Sequence, residues 1–585
     1  MNLLVVAIFL PLLGVAMVWV TAEWGRVAAR SIALWTSLAT LGFVAPLLLY
    51  PVLGQGEPVE IDAPWFANSL VDIRFSLGLD GLSYWMFGLS ALLTVTAILV
   101  SWEAISERAP AFYCMLLLLE SGMLGVFAAR DIILFYIFFE FTLIPLFFLI
   151  GIWGSEERRY AAIKFFLFTL AGSMLTFLGL LSIVLWNYFH AEPHLLTFSI
   201  PALTESLAVH PIDPGWQLWI FLALFAGFAI KVPLFPLHTW LPLAHTQAPT
   251  AGSVILAGIL LKIGTYGFLR FSIPMLPEAT VACMPWILWL SVAGIIYGAL
   301  VSLAQRDMKK LIAYSSVSHL GFCMLGIFAI NPLGVQGGTL QMINHGLSTG
   351  GLFALIGMLY ERYHTREIAA YGGMARRLPI LAFFMVVFTF SSIGLPGLNG
   401  FAGEFLLLAG AFQRGYADSP AMWHGQWTTI AVLAVFGVVL GAWYMLWLVE
   451  RVFFGPLREP ANDAHGDHHH PVHDMCLREV LALVPLVVFM VWIGVAPNHF
   501  LRPMAGSLDD SIRAAAVSFD KRYDMHTAPA TATVLLPPGE GGRRPDEGGA
   551  AVGAHAASPS PGRRGDHPLP KGEGFIARGK LARDD

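Results

Sequence analysis

Residues 215–269 read GWQLWIFLALFAGFAIKVPLFPLHTWLPLAHTQAPTAGSVILAGILLKIGTYGFL. Two long apolar segments each carry one lysine, Lys231 and Lys262, well inside runs of Leu, Ile, Ala, Phe and Gly. Pro233, Pro236 and His238 follow Lys231 at once, so the first segment is not one unbroken helix. A charged side chain deep in a bilayer costs several kcal/mol and ordinarily faces a bundle interior or a water-filled path. A broken backbone at that depth is tolerated only where protein or a cavity re-satisfies its polar groups. Both features in one stretch point to an ion pathway.

The composition agrees. The chain has 585 residues, 57% hydrophobic and 12% charged, with a mean hydropathy of +0.68. A soluble chain of this length would expose far more charge. Apolar blocks fall near 2–21, 31–50, 81–101, 111–129, 131–153, 163–189, 216–238, 249–271, 284–303, 311–330, 338–361, 378–413, 427–453 and 476–496. Most are long enough to cross a hydrocarbon core of about 30 Å, so the expected fold is an all-α polytopic membrane protein of about fourteen spans. The first block lacks a basic flank and a small-residue cleavage site and reads as a retained span. The odd-numbered loops hold sixteen Lys and Arg residues and the even-numbered loops four. The positive-inside rule then puts the odd loops in the cytoplasm and both termini on the outer, periplasmic side of a bacterial plasma (inner) membrane.

Cys114, Cys283, Cys323 and Cys476 are scattered with no CxxC spacing, which argues against an iron–sulfur cluster, structural zinc or a disulfide framework. No glycine pattern of a nucleotide-binding loop stands at a strand-to-helix junction. The chain is therefore expected to hold no redox cofactor, nucleotide or metal, and any electrons would belong to another subunit. His465, His468, His469, His470 and His473 cluster in one loop, and read as an exposed cytoplasmic segment rather than a chelating site. Beyond about Ser507 the composition changes, with Gly, Pro, Arg, Ser and Ala dominant from Pro537 to Asp585, and 507–585 is expected to be a disordered tail.

The seventh block is broken by prolines after Lys231, and the twelfth at Gly394-Leu395-Pro396-Gly397, before Asn399, Gly400, Gly403 and Glu404. An offset of five spans makes the second copy enter from the opposite side, the inverted-repeat pattern in which paired broken helices mark the ion site. The expected organisation is spans one to three in 1–110, a first repeat in 111–275, a second in 280–455, the His-rich loop and last span in 456–506, and the tail.

Several residues can carry protons through such a frame. Glu140, in IFFEFTLIP, lies nine residues into the fifth block, about 14 Å deep, and its expected partner is Lys231. Lys262 lies thirteen residues after Pro249, too far from either end to snorkel. Glu404 follows the second break, where it can cap the half-helix, handle protons or both. His238, His319 and His345 fall inside spans or at breaks, and a neutral imidazole can accept on one nitrogen and donate on the other. Serines 315, 316, 318 and 348 and Asn344 give His319 and His345 a polar setting. Glu103 and Glu120 are lesser candidates, since a place near a membrane interface would also account for either.

The segments AIKVPLFPLHTWLPLAHTQAPTAGSVILAGILLKIG (229–264), LIAYSSVSHLGF (311–322), QMINHGLSTGGLF (341–353) and SSIGLPGLNGFAGEF (391–405) resemble the antiporter-like subunits of respiratory complex I, the proton-translocating NADH:quinone oxidoreductase. The likeness spans about residues 80–455. Glu404 stands where the M branch of that family, which corresponds to subunit 4 of the mitochondrial enzyme, has glutamate and its L and N paralogues usually have lysine. The resemblance implies two inverted five-helix bundles and a central hydrophilic axis. In that axis Glu140, Lys231, Lys262 and Glu404 translocate protons and His238, His319 and His345 relay them. NADH, FMN, iron–sulfur clusters and quinone would sit in partner subunits, and the partners would be other membrane-arm subunits, the L and N paralogues among them. Two other readings draw on similar sequences: a subunit of a multisubunit cation/proton antiporter, and a subunit of a membrane-bound hydrogenase complex.

Overall fold

The computed structural model of the chain describes residues 2–52, 60–416, 421–460 and 472–523. The His-rich cluster, except His473, and the tail from residue 524 lie outside the described residues. Helices α1 (Leu3–Val20) and α2 (Gly25–Val52) precede a hairpin of β1 (Glu60–Ala67) and β2 (Val71–Gly78). Then come α3 (Tyr84–Val100), α4 (Ala109–Ala128), α5 (Ile132–Phe141), α6 (Leu143–Trp153), α7 (Arg158–His190), a two-residue β3 (Leu196–Thr197) and α8 (Ile200–Val209). The quoted stretch forms α9 (Pro214–Lys231), α10 (Leu241–Gln247), α11 (Thr250–Ile255), a π-helical turn 256–260, α12 (Leu261–Gly267), a second π turn 268–272 and α13 (Ile273–Met275). The remainder is α14 (Pro277–Leu303), α15 (Met308–Ile327), α16 (Pro332–Tyr363), α17 (Pro379–Ser392), α18 (Asn399–Tyr416), α19 (Ala421–Phe453), α20 (Leu477–Val495) and α21 (Asn498–Arg522).

Helices prevail because in an apolar medium only a helix or a closed barrel satisfies the backbone. Polar residues start several of them: Asn2, Asp131, Asp307 and Asn331 each accept from free amides of the first turn. Among the described residues, twelve helices are long and apolar enough to cross a membrane. The shorter α3 and the broken pair α17–α18 fill the two remaining apolar blocks. Ion pairs keep the loops in the two groups that their charge separated. Arg30 and Arg478 reach Glu103, Arg362 reaches Glu479 and Arg366 reaches Asp307, all between odd-numbered loops or the helix ends beside them. Arg130 reaches Glu60 and Arg270 reaches Asp80 between even-numbered ones.

Two elements depart from the sequence-based expectation. The even-loop side carries a small sheet, in which β1 pairs antiparallel with β2, and β2 lies parallel to β3 over two residues. The helix α21 also runs well past Ser507, so the expected tail boundary is wrong by at least fifteen residues. Its buried positions Phe500, Met504, Leu508, Ile512, Ala515 and Phe519 recur every three or four residues, which makes one apolar stripe. Each departure rests on periodicity rather than on a solid apolar run.

Asp80, in the loop before α3, takes a two-pronged hydrogen bond from Arg270, at 2.6 and 2.7 Å. Burial pushes the Asp80 carboxyl up, but the Arg270 charge and hydrogen bonds from Arg270 and Ser83 outweigh it and hold the group at about 2. Against an unfolded value of about 3.9, this stabilisation is in place above that value and is lost only as pH falls through about 2. It is therefore constant across ordinary pH. Asp80→Asn is expected to lower stability by about 1–3 kcal/mol by leaving Arg270 short of a charged partner, read as an earlier thermal transition in detergent. An unchanged transition would show that the pair does not anchor this loop.

Candidate functional site

The α9 helix ends at Lys231, where a cation is favoured by the carbonyl end of the helix dipole. The break that follows is internally satisfied: Leu234 N–H donates to the Ala229 carbonyl at 2.9 Å and Trp240 Nε1 to the Ile230 carbonyl at 3.0 Å. Lys231 is buried, with its ammonium 4.6 Å from the centre of the Phe139 ring. It also lines a cavity of about 10 Å³ with Thr142, Trp240 and Leu256, room for about one water. The expected ion pair with Glu140 is not closed. Among the described residues no salt bridge joins the two, and a buried Glu140 carboxylate oxygen, Oε1, has no hydrogen-bond partner. The reason is local: Phe139, one residue earlier on α5, places its ring beneath the ammonium.

Lys262 is fully buried. The π turn widens the helix just ahead of it, a feature often found at functional sites. The Ala257 carbonyl within that turn accepts a hydrogen bond from the Lys262 ammonium. The same ammonium lies 2.7 Å from His345 Nδ1. A charged Lys262 forces Nδ1 to accept, which puts the imidazole proton on Nε2. Among the described residues that Nε2 has no partner.

Next in line is His319, whose ring centre is 5.7 Å from that of His345. Its Nδ1 lies 3.6 Å from Glu404 Oε1, and its Nε2 lies 3.3 Å from Ser392 Oγ and 3.4 Å from Tyr444 Oη. Gln341 Nε2 donates to Glu404 Oε1 at 3.0 Å. Asn344 binds Gln341 Oε1 and the Asn399 carbonyl at 3.1 and 2.8 Å, which ties α16 to the second break. Glu404 is the sixth residue of α18, beyond the first turn. It faces His319 and Gln341 from there and does not act as a cap. Lys262, His345, His319 and Glu404 thus form one buried series of groups that donate, accept or both, with gaps that a ring rotation or one water spans.

Gly394 supports the far end. Its φ of +72° favours glycine, and a Cβ there would lie 2.7 Å from Glu404 Oε2. Gly394→Ala is expected to cost about 1–3 kcal/mol through strain and contact, and to push the Glu404 carboxylate off His319. The check is a lowered thermal transition together with reduced transport. An alanine variant equal to wild type in both would mean that the break tolerates a side chain.

The remaining expected residues are placed elsewhere. His238 sits in the first break, stacked on Phe235 at 5.7 Å and edge-on to Tyr297 at 5.1 Å, and among the described residues no hydrogen bond, ion pair or ring contact joins it to the Lys262 series. Glu103 is exposed just beyond the end of α3. Glu120 is fully buried midway along α4 and accepts from Ser37 at 2.9 Å.

Sequence reasoning missed three contributors. Gln341 is an uncharged amide in a helix of small residues. His245 is fully buried and stacked on Phe353 at 4.6 Å, with neither ring nitrogen partnered among the described residues. Its signal was its place two helical turns after His238 in the quoted stretch. Lys309, counted as a loop charge, is buried and donates to the Ala248 carbonyl at 2.6 Å. It forms part of the wall of a polar cavity of about 440 Å³ with Glu103, Tyr360, Glu361 and Arg366, at the odd-loop end.

All four cysteines are unpaired. No group of three His, Cys, Asp or Glu side chains among the described residues is arranged to hold a metal ion.

Residues 129–440 match the family model described as NADH:quinone oxidoreductase/Mrp antiporter, transmembrane. NADH-quinone oxidoreductase subunit M of Rhodobacter capsulatus is 42% identical over 504 residues, which cover 85% of this chain and 94% of that protein. NADH-ubiquinone oxidoreductase chain 4 of Arabidopsis thaliana is 43% identical over 443 residues, 76% of this chain and 83% of that one. Among solved structures, a chain of respiratory complex I from Thermus thermophilus with bound NADH superposes with a TM-score of 0.75 at 32% identity, over 88% of this chain and 99% of that chain. A chain of the Mrp complex from Dietzia shares the fold, with a TM-score of 0.69 at 20% identity over 89% of this chain and 58% of that one. Sequence and fold agree, and the chain belongs to the family of NADH-quinone oxidoreductase subunit M and NADH-ubiquinone oxidoreductase chain 4.

Proposed function

We propose that this chain is a proton-translocating membrane-arm subunit of an NADH:quinone oxidoreductase in a bacterial inner membrane. NADH oxidation and quinone reduction take place in partner subunits, which carry the flavin, the clusters and the quinone; this chain has no redox centre of its own. Its neighbours are other membrane-arm subunits, the L and N paralogues among them. The observation that carries the reading is the buried series Lys262–His345–His319–Glu404, because such groups at membrane depth have little use except to move charge.

In this reading fourteen spans put both termini outside, and residues 111–275 and 280–455 are inverted repeats whose breaks hold Lys231 and Glu404. Protons enter from the odd-loop cavity past Lys309 and His245 to Lys262. Lys231 and Glu140 gate the step: when the pair closes, the charge on Lys262 is repelled less, and when it opens Lys262 sheds its proton toward His345. His319 passes it to Glu404 for exit or coupling to the next subunit, while His238 serves the Lys231 half.

The test is the assembled complex in proteoliposomes. NADH-driven proton transport per NADH oxidised should fall when this chain is inactivated at Lys262, with NADH oxidation still measurable. An unchanged proton-to-NADH ratio would remove the chain from the pump. Sodium-driven proton exchange without NADH oxidation, in a complex purified through this chain, would favour the cation/proton antiporter instead.

A further inference from the structure

An apolar channel of about 600 Å³ runs between α2, α3, α16 and α20. Leu34, Leu99 and Leu481 line one end, and Trp85 and Phe500, whose rings lie 4.5 Å apart, line the other. From Leu99 to Trp85 along α3 the channel is about 21 Å long, more than half of a hydrocarbon core of about 30 Å. The one hydroxyl in its lining, on Thr96, is spent on the Leu92 and Ala482 carbonyls at 3.3 and 3.2 Å. No polar occupant would find a partner inside.

The Leu34–Leu99–Leu481 end lies about one helical turn from a basic cluster. Arg30 precedes Leu34 by four residues and Arg478 precedes Leu481 by three, while Glu103 follows Leu99 by four. Arg26, Arg30 and Arg478 share the single Glu103 carboxylate at 3.8, 3.6 and 3.4 Å, too long for a forked pair with any of them. Trp102 orients Arg30, by a carbonyl contact at 3.0 Å and by its ring at 4.6 Å. Arg30 Nε and Arg478 Nε are buried with no acceptor among the described residues. The nearby Arg362 is committed to Glu479 at 3.0 and 2.7 Å. Glu361 and Asp474 also act on Arg362, so the excess of positive charge is confined to the three arginines around Glu103.

We propose that this channel holds one acyl chain of an anionic diacyl phospholipid from the leaflet on the odd-loop side, with its phosphate seated on Arg26, Arg30 and Arg478. The chain lies along the apolar groove toward Trp85 and Phe500, and the phosphate oxygens accept from the three guanidinium groups. Basic residues at a membrane surface attract anionic headgroups in this way, and guanidinium forks match phosphate geometry. The inference does not depend on proton transport, since it needs only that the helices span the bilayer.

The experiment uses the assembled complex in native membranes. Two probes carry the same photoreactive group at the end of one acyl chain, one a phosphatidylglycerol and the other a phosphatidylcholine. The anionic probe should label α2, α3 and α20 at the channel walls about tenfold more than the zwitterionic one. Ala45→Trp, which fills the channel from its lipid-exposed wall and leaves the arginines in place, should remove that labelling. Arg30→Gln with Arg478→Gln should bring the anionic probe down to the level of the zwitterionic one. Equal labelling by the two probes in the wild type would overturn the proposal, as would labelling that survives Ala45→Trp. Absence of any channel label, with a neighbouring subunit cross-linked there instead, would assign the groove to that subunit and equally overturn it. Should the arginine variants fail to assemble, the probe comparison and Ala45→Trp still decide the matter.

Discussion

Lys262→Met is expected to cut NADH-driven proton transport by about a hundredfold or more, the scale on which a positioned proton-transfer group contributes, while the chain still folds and assembles. Both halves of that expectation come from the same geometry. Methionine nearly matches the lysine in length and is apolar, so the fully buried site stays filled. Replacing a buried charge by an apolar side chain of similar volume is often neutral or stabilising. One cost opposes this: His345 Nδ1 loses its 2.7 Å contact, worth about 1–3 kcal/mol if no water replaces it. The chemical loss has no such compensation, because among the described residues no other ionisable group is hydrogen-bonded to His345. Native electrophoresis for assembly and fluorescence-detected acidification in proteoliposomes measure the two halves separately. Wild-type transport in a Lys262→Met complex would contradict the assigned route, whereas failure to assemble would show that the ammonium is needed structurally.

How much of this was legible beforehand follows from the kind of signal each residue leaves. Lys231 and Lys262 stand out because a lysine within an apolar run has no cheap explanation. The breaks at residues 232–240 and 393–398 stand out because proline and glycine forbid a continuous helix there. His319 and His345 were raised above background by the serines and asparagine beside them. The contacts that join these residues could not be read in this way. Lys262 meets His345 across 83 residues and Arg270 meets Asp80 across 190, distances bridged only by the packing of whole helices. Gln341 carries no charge and so leaves no mark in an apolar helix, although it orients Glu404. The hairpin and α21 leave no solid apolar block in the sequence, because they bury their residues by alternation or by a stripe. Even the pairing of Glu140 with Lys231, reasonable from charge alone, missed the aromatic ring of Phe139.

That ring makes the second large effect a question of coupling. Lys231→Met and Glu140→Gln are each expected to reduce proton transport by about a hundredfold, yet the double variant should be no worse than either alone. The ammonium rests 4.6 Å from the Phe139 ring centre, a contact worth about 2 kcal/mol when desolvated. Glu140 Oε1 is meanwhile buried with no hydrogen-bond partner among the described residues. A carboxylate left so is costly unless another state of the protein supplies its partner. Lys231 can do so by leaving the ring, and the cavity of about 10 Å³ beside it gives one water room to assist. If the two residues act through one closed pair, removing either removes the pair, and the second substitution has nothing left to take away. Transport rates of the wild type, both single variants and the double variant complete the cycle. Multiplied losses in the double variant would mean that Glu140 and Lys231 work independently, and the gate would then have to be sought between Lys231 and Phe139. Phe139→Leu separates these cases further: it removes the ring that holds the ammonium open, so it should favour the closed pair and slow release from it while both charges remain in place.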